Sequence, residues 1–417
     1  MRSGNWVTNR FDRLPSTRIG PLYVFERSGI SVCYCVIGTT RLPSAIKRRG
    51  NVATAVKDPS LESIRYKGYD IRFRSKPCFD RLYVELSNAC NFSCEMCFIS
   101  EEDRRRGEMI APQTMERMAE EMSRYPERPE IVFAGIGEPL LHDDWRTFLL
   151  RFKEIPLKVS LHTNGALLSE EAMAFLVDAQ MDHLCLSLDP EGFGHESGEA
   201  TLEKVERLDA IKKLKGSVRP SISIQSVLCS KNIAGVEAFG KRIAGMDVSE
   251  WILSNLLPMN AAQAGMALYP TRPVEGSIPL GESFSSRFPF ARLPSFRLIG
   301  ERGCSFIDKN SLVVGADGRV THCYPFLRSH ETYPFGKKHP VAAYAFGHYP
   351  NESLLSIWQK PEVSGFRVKA RLGLFPYCFE CKWLDTCELI TRGSTDCYGN
   401  VPSCADCLWY HRLIMCF

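Results

Sequence analysis

Cys90-Asn-Phe-Ser-Cys94-Glu-Met-Cys97 puts three thiols in one short loop at the spacing C-x3-C-x2-C. Thiolates so spaced can hold a [4Fe–4S] cube by three of its corners. The fourth iron then has no protein ligand and is open to chelation by a substrate or cofactor. A zinc knuckle and three unrelated core cysteines are the competing explanations. Structural zinc takes four ligands, usually from C-x2-C pairs, and no fourth ligand lies near this triplet in the sequence. The spacing favours a cluster with an open iron and leaves zinc as the alternative.

An open iron is useful only if other loops converge on it. From residue 80 the sequence alternates strand, loop and helix. Apolar, β-branched runs at Arg81–Leu86, Glu130–Ala134, Lys158–His162, His183–Leu188, Ser221–Leu228 and Trp251–Leu256 predict strands. Helical patterns separate them at Pro112–Tyr125, Trp145–Phe152, Glu170–Ala179, Thr201–Lys215 and Asn232–Ile243. Nearly continuous apolar strands alternating with helices imply a parallel sheet buried on both faces. Six such units predict an α/β fold, a partial (β/α)6 barrel, with ligands at the C-terminal strand ends. The cysteine triplet directly follows the first strand, where that rule places a site.

Loops after the next strands fall at matching positions. The second is followed by Gly135-Ile-Gly137-Glu138-Pro139, whose glycines admit close backbone approach and whose Glu138 or carbonyls can accept from an ammonium. Thr163-Asn164-Gly165 follows the third. The fourth ends Ser187-Leu-Asp189, with Ser187 and Asp189 on one side at period two, able to bond ribose hydroxyls. Each segment alone is weak; their register with the triplet gives them weight.

A second cysteine field begins at Cys304. Nine cysteines occupy the last 114 residues: Cys304, Cys323, Cys378, Cys381, Cys387, Cys397, Cys404, Cys407 and Cys416. Periodicity there is limited to a hairpin, Ser311–Gly315 and Arg319–Cys323 around Ala316-Asp317-Gly318. Such a segment is expected to lack a normal core and to need metal in its place. Zinc and iron–sulfur both suit C-x2-C pairs.

The 417 residues allow two or three domains, and 44% hydrophobic with 24% charged residues is ordinary for a globular chain. No apolar run reaches the ~20 residues of a membrane span. Seventeen cysteines in metal-type spacings, without a signal-like start, read as cytoplasmic metal binding rather than a disulfide scaffold. Residues 1–78 hold 15 Lys/Arg against 5 Asp/Glu, a basic extension more consistent with a solvated arm than with a nucleic-acid site. Cys33 and Cys35 within it read as incidental. The expected organisation is this extension at 1–78, the barrel at 79–260, a Pro/Gly/Ser/Arg-rich connector or lid at 261–303, and an auxiliary cluster domain at 304–417.

On these motifs the chain resembles the radical S-adenosylmethionine (SAM) superfamily over about residues 80–260. The resemblance implies that Cys90, Cys94 and Cys97 hold the cluster whose open iron binds SAM, and that a 5′-deoxyadenosyl radical is produced. "GIGEP" matches the family element that meets the SAM amino group, so Gly137, Glu138 and Pro139 inherit that role, with Gly135 beside them as a further cofactor-binding residue. "HTNG" and "SLD" match the elements lining the methionine and ribose pocket, which assigns Thr163, Asn164, Ser187 and Asp189. Met96 stands where the family has an aromatic residue, so adenine contact falls to Met96 or Phe98. Cys304, Gly318, Cys323 and the Cys378-x2-Cys381-x5-Cys387 run resemble a SPASM domain, which implies one or two auxiliary [4Fe–4S] clusters. Thr391 replaces the next expected cysteine, and nine cysteines exceed by one what two fully ligated cubes need. "DGRVTHCYPFL" and "DCYGNVPSCADCLW" resemble the maturases associated with tungsten-cofactor oxidoreductases of the aldehyde ferredoxin oxidoreductase type. That implies a ferredoxin- or flavodoxin-type reductant and a tungsten- or molybdenum-pterin oxidoreductase as partner. Peptide modification is the alternative, and a non-catalytic iron–sulfur or zinc scaffold is the alternative of another class. Asp317, His322 and Tyr324, beside an auxiliary cysteine, are candidate proton carriers, with a surface-strand role as the alternative for His322.

Overall fold

The computed structural model describes residues 23–27, 30–34, 62–66, 69–97, 107–190, 198–269, 279–298, 302–389, 393 and 395–416. The chain divides into two compact units, Met1–Cys78 and Phe79–Phe417. In the first, β1 (Tyr23–Arg27), β2 (Ile30–Tyr34), β3 (Glu62–Tyr66) and β4 (Tyr69–Phe73) form an antiparallel sheet ordered β1-β2-β4-β3.

The second unit opens with the alternation that the sequence predicts. It runs β5 (Arg81–Val84), α1 (Pro112–Ser123), β6 (Glu130–Phe133), α2 (Trp145–Lys153), β7 (Val159–Thr163) and α3 (Glu170–Asp178). It continues through β8 (His183–Ser187), α4 (Gly198–Leu214), β9 (Ser221–Leu228), α5 (Val236–Ile243) and β10 (Glu250–Asn255). Strands β5 to β10 pair in order and in parallel, giving a partial (β/α)6 barrel. Residues 131–133 and 251–253 are buried on both sides of the sheet, which explains why these strands carry no alternation. Local signals set the helix starts. Pro112 occupies the first turn of α1, where a missing N–H costs nothing, and Met115, Met118, Ala119 and Met122 face inward. Ser169 caps α3 by accepting from the Ala172 N–H at 3.1 Å, and Glu170 and Glu171 complement the helix dipole.

The segment expected as a connector or lid is in part a wall of the barrel. Helix Glu282–Arg287 and β11 (Ala291–Arg292) follow β10, and β11 pairs with it in parallel. Phe284 and Phe288 pack on the buried Trp251 ring, whose Nε1 donates to Ser226 Oγ at 2.9 Å. Gly240 lets α5 approach, since a Cβ there would stand 2.9 Å from both Trp251 and Phe288. The Pro, Gly and Ser content of this stretch masks the widely spaced phenylalanines that anchor it.

The cysteine-rich region extends the same sheet. Strand β12 (Ser311–Val314) pairs in parallel with β5 on its open side, and β13 (Arg319–Thr321) completes the predicted hairpin. A short pair, β14 (His330–Thr332) and β15 (His339–Val341), follows, and β16 (Gly347–His348) closes on β13. The expectation that this region has no core of its own is overturned. Phe346, Leu354, Ile357, Trp358, Val363, Phe366 and Phe375 are all buried. His322 stacks on Phe366 at 5.2 Å and meets Phe346 edge-on. These aromatic residues come from several short segments, so no single one shows a periodic pattern.

Truncating Trp358, which has no measurable exposure, to Ala should cost about 3–5 kcal/mol. Anaerobic denaturant unfolding measures this. A cost below about 1 kcal/mol would mean that metal, not packing, holds the region.

Candidate functional site

The triplet loop leaves β5 already tied down. Asn88 N–H donates to Glu108 O at 3.0 Å and its side-chain amide to Glu108 Oε2 at 2.9 Å, while Ile110 N–H reaches Leu86 O. Within the loop, Phe92 N–H points at Cys90 Sγ at 3.4 Å and Cys97 N–H donates to Cys94 O at 3.1 Å. The side chain of Gln263 donates to Glu95 O at 2.7 Å, so the chain after β10 steadies the loop from outside. Phe98, an adenine-contact candidate, lies outside the described residues.

The loop after β6 presses against this one. A Cβ on Gly137 would lie 2.2 Å from Ser87 O and 2.5 Å from Ala89 O, so only glycine fits. Next to it, Glu138 N–H donates to Ala89 O at 2.8 Å. Its carboxylate accepts from Thr163 Oγ1 (2.7 Å), Asn164 N–H (2.8 Å) and Leu140 N–H (3.0 Å), and Pro139 opens the short turn that follows. Burial pushes the Glu138 carboxyl up from its ordinary range while these three bonds pull it down. The sequence offers either Glu138 or the loop carbonyls as acceptors for an ammonium; in the structure the Glu138 carboxylate borders the cavity and ties the loops after β6 and β7 together. The Asn164 amide then reaches back to Asn91 Oδ1 at 2.9 Å and towards Cys90 Sγ at 3.8 Å.

All of these loops border one cavity of about 340 Å³ at the C-terminal ends of the strands. Cys90, Cys94, Cys97 and Met96 form one side, and Thr163, Asn164, Ser187 and Asp189 another, with Gly135, Gly137 and Glu138 between. Asp189 accepts from Val227 N–H at 2.6 Å, and burial pushes its carboxyl up to about 7. Sequence reasoning did not place the rest of the lining: Trp409, Met415 and Cys416 from the C-terminal tail, and Tyr324 from the cysteine-rich region, border the same cavity. The tail is fixed by Asn255 Nδ2 donating to Leu413 O at 2.8 Å and by Met415 N–H donating to Ser254 Oγ at 3.0 Å.

The three proton-carrier candidates part company. Asp317 is exposed at the hairpin turn, paired with Arg319 at 3.0 Å, and touches neither this cavity nor the next. His322 is buried in the aromatic core and borders a second cavity. Tyr324 alone reaches the barrel cavity, where it meets the Tyr83 ring edge-on at 5.5 Å.

The second cavity, of about 240 Å³, is bordered by Cys304, Cys323, Cys378, Cys404 and Cys407. Burial raises Cys304 to about 11 and Cys407 to about 12, and in Cys407 repulsion from Cys304 adds to it. Thiolates crowded in this way need a cationic partner to stay ionised. Among the described residues no three His, Cys, Asp or Glu side chains converge on a point, as one mononuclear ion requires. A cube takes each thiolate on a different iron, so thiols spread around a cavity suit it. The donor sets at both cavities therefore fit iron–sulfur clusters.

Residues 84–228 match the radical SAM superfamily, and residues 304–382 match the iron–sulfur cluster-binding SPASM domain. The chain is 31% identical over 348 residues to the tungsten-containing aldehyde ferredoxin oxidoreductase cofactor-modifying protein of Pyrococcus furiosus, covering 80% of this chain and 96% of that one. It is 32% identical over 161 residues to a probable GTP 3′,8-cyclase of Sulfurisphaera tokodaii, covering 37% of this chain and 49% of that protein. Streptococcus suis SuiB bound to its precursor peptide SuiA shares the fold, with a TM-score of 0.52, 15% identity and 74% and 71% of the two chains covered. So does histidine-tagged anSMEcpe with bound AdoMet, with a TM-score of 0.51, 18% identity and 80% and 91% covered.

Two substitutions test the geometry. Glu138→Ala leaves three donors without their acceptor, each costing about 1–3 kcal/mol; SAM binding by equilibrium dialysis should weaken with it, and unchanged affinity would remove Glu138 from the site. Because its carboxyl is raised, folded Asp189 keeps a proton that the unfolded chain releases between about pH 4 and about pH 7. Its contribution to stability is therefore complete below that interval and lost as pH rises through it. Asp189→Asn should gain on wild type in unfolding midpoint as pH rises from about 5 to about 7.5, and parallel pH profiles would contradict the assignment.

Proposed function

We propose that this chain, which belongs to the radical SAM superfamily and carries a SPASM domain, is the enzyme that matures the pterin cofactor of a tungsten or molybdenum oxidoreductase through a SAM-derived radical. Its cofactors are iron–sulfur clusters and SAM. The observation carrying this reading is the single cavity into which Cys90, Cys94, Cys97 and the loops after β6, β7 and β8 all open. The choice of partner rests on the likeness to the cofactor-modifying protein, which spans nearly the whole of that relative. Among the described residues no helix is long and apolar enough to cross a membrane. The reductant is a low-potential one-electron donor of the ferredoxin or flavodoxin class, and the site of action is the cytoplasm.

When bound, the reduced cluster and its SAM ligand supply a 5′-deoxyadenosyl radical able to take hydrogen from an unactivated C–H bond. The chain's own residues do the rest. Cys90, Cys94 and Cys97 would hold the cluster by three thiolates, so that one iron stays open to SAM. Gly137 lets its loop lie against the Ser87–Ala89 backbone, where loop carbonyls would receive the ammonium. Glu138 fixes Thr163 and Asn164, and Asn164 in turn orients the Cys90 loop. Ser187 and Asp189 line the cavity where they would bond the ribose, and Met96 would offer a polarizable surface to the adenine. The C-terminal tail closes the remaining side and keeps water from the radical.

Anaerobic reconstitution, dithionite reduction and SAM addition should give 5′-deoxyadenosine from wild type. The Cys90→Ala/Cys94→Ala/Cys97→Ala variant should give none while retaining the iron of the second cysteine field. Zinc in place of iron, or iron without SAM cleavage, would leave a scaffold instead of an enzyme. A tungsten-pterin oxidoreductase produced with and without this protein should carry cofactors of different mass; identical masses would reject the proposed partner.

A further inference from the structure

Nine cysteines exceed by one what two four-cornered cubes need, and one of the nine borders a different cavity from its neighbours. Cys378 lies within electrostatic reach of Cys381 and Cys397, and Cys397 of Cys381 and Cys387. Cys304, Cys323, Cys404 and Cys407 lie within reach of one another and border the second cavity. Cys416 neighbours this second set but borders the barrel cavity instead, together with the triplet. Its sulfur accepts from Trp409 Nε1 at 2.8 Å, and its backbone is held by the bonds that Ser254 and Asn255 make to the tail.

A second group points into the same cavity wall. The Tyr324 hydroxyl is shut off from solvent and has no hydrogen-bond partner among the described residues, an expensive arrangement unless a ligand completes it. Tyr324 lies within electrostatic reach of Cys416 and borders the barrel cavity with it. A hydroxyl lacking a partner among the described residues and a thiol thus border the cavity that the triplet and its neighbouring loops border.

We propose that Cys416 ligates no cluster and is a catalytic residue that returns a hydrogen atom to the substrate radical, while Tyr324 hydrogen-bonds the substrate beside it. This rests on the radical reading of the barrel cavity. In the step, the Cys416 S–H bond breaks homolytically as a C–H bond forms on the substrate, leaving a sulfur radical. One electron from the low-potential donor and one proton from water restore the thiol. The conversion so catalysed is redox-neutral at the substrate: a rearrangement or an inversion at carbon, not an oxidation.

The test uses the reconstituted holoenzyme, Cys416→Ser and Cys416→Ala, with SAM and dithionite in D2O and no added substrate. The Cys416 thiol exchanges with solvent, so wild-type 5′-deoxyadenosine should gain deuterium, and both variants should lose that label. Iron content and the auxiliary-cluster EPR signals of the variants should equal those of wild type. Lost iron or altered EPR in the variants would make Cys416 a ligand and overturn the proposal. Label retained in the variants, or absent from wild-type 5′-deoxyadenosine, would overturn its role as donor. Absence of any wild-type 5′-deoxyadenosine is a different result, because it rejects the radical reading itself.

Discussion

The Glu85 carboxylate, fully buried one residue beyond β5, ties together the parts of the molecule that have to meet at the cavity. Oε1 accepts from Ile136 N–H at 3.0 Å and Arg328 Nη1 at 3.1 Å; Oε2 accepts from Arg328 Nη2 at 2.7 Å and Ala316 N–H at 3.2 Å. Its own N–H donates to Val314 O. One side chain therefore joins the strand carrying the triplet, the loop after β6 and the hairpin of the cysteine-rich region. Gly135 is the complement, since a Cβ there would stand 2.6 Å from Glu85 Cγ. A buried ion pair adds little net stability over apolar packing of the same shape, but breaking one costs several kcal/mol. Its value here is geometric: it forces three segments into one arrangement.

Glu138 repeats the device one loop further on. Its oxygens are occupied by a hydroxyl and two backbone N–H groups, which sets the third-strand loop against the second. Both carboxylates spend their hydrogen-bonding capacity on holding loops. A site assembled from loops on a rigid sheet depends on such supports, because nothing in the strands themselves dictates how the loops lie.

The barrel and the cysteine-rich region work as one body. Strand β12 extends the barrel sheet, the tail fills the barrel mouth, and Leu257 and Trp409 border both cavities. Tyr83 and Tyr324 border the barrel cavity alone, so Trp409 is the aromatic residue the two cavities share.

The sequence by itself determined the repeated strand–helix order, the position of the triplet after the first strand and the loops that share its cavity. Each is a local pattern: apolar runs of strand length, a proline at a helix start, cysteines a few residues apart. It misjudged residues 261–303 and the C-terminal core, because Phe284, Phe288, Trp358 and Phe366 sit among short irregular segments where no period exists to be read. Only the tertiary structure decided that Glu138 holds two loops together, that Asp317 borders neither cavity while Tyr324 borders one, and that Cys416 borders the barrel cavity rather than the second one. Those outcomes depend on contacts between residues dozens to hundreds of positions apart. Cys416 shows the limit best: its spacing says metal ligand, and only the bonds from Ser254, Asn255 and Trp409 turn it towards the barrel.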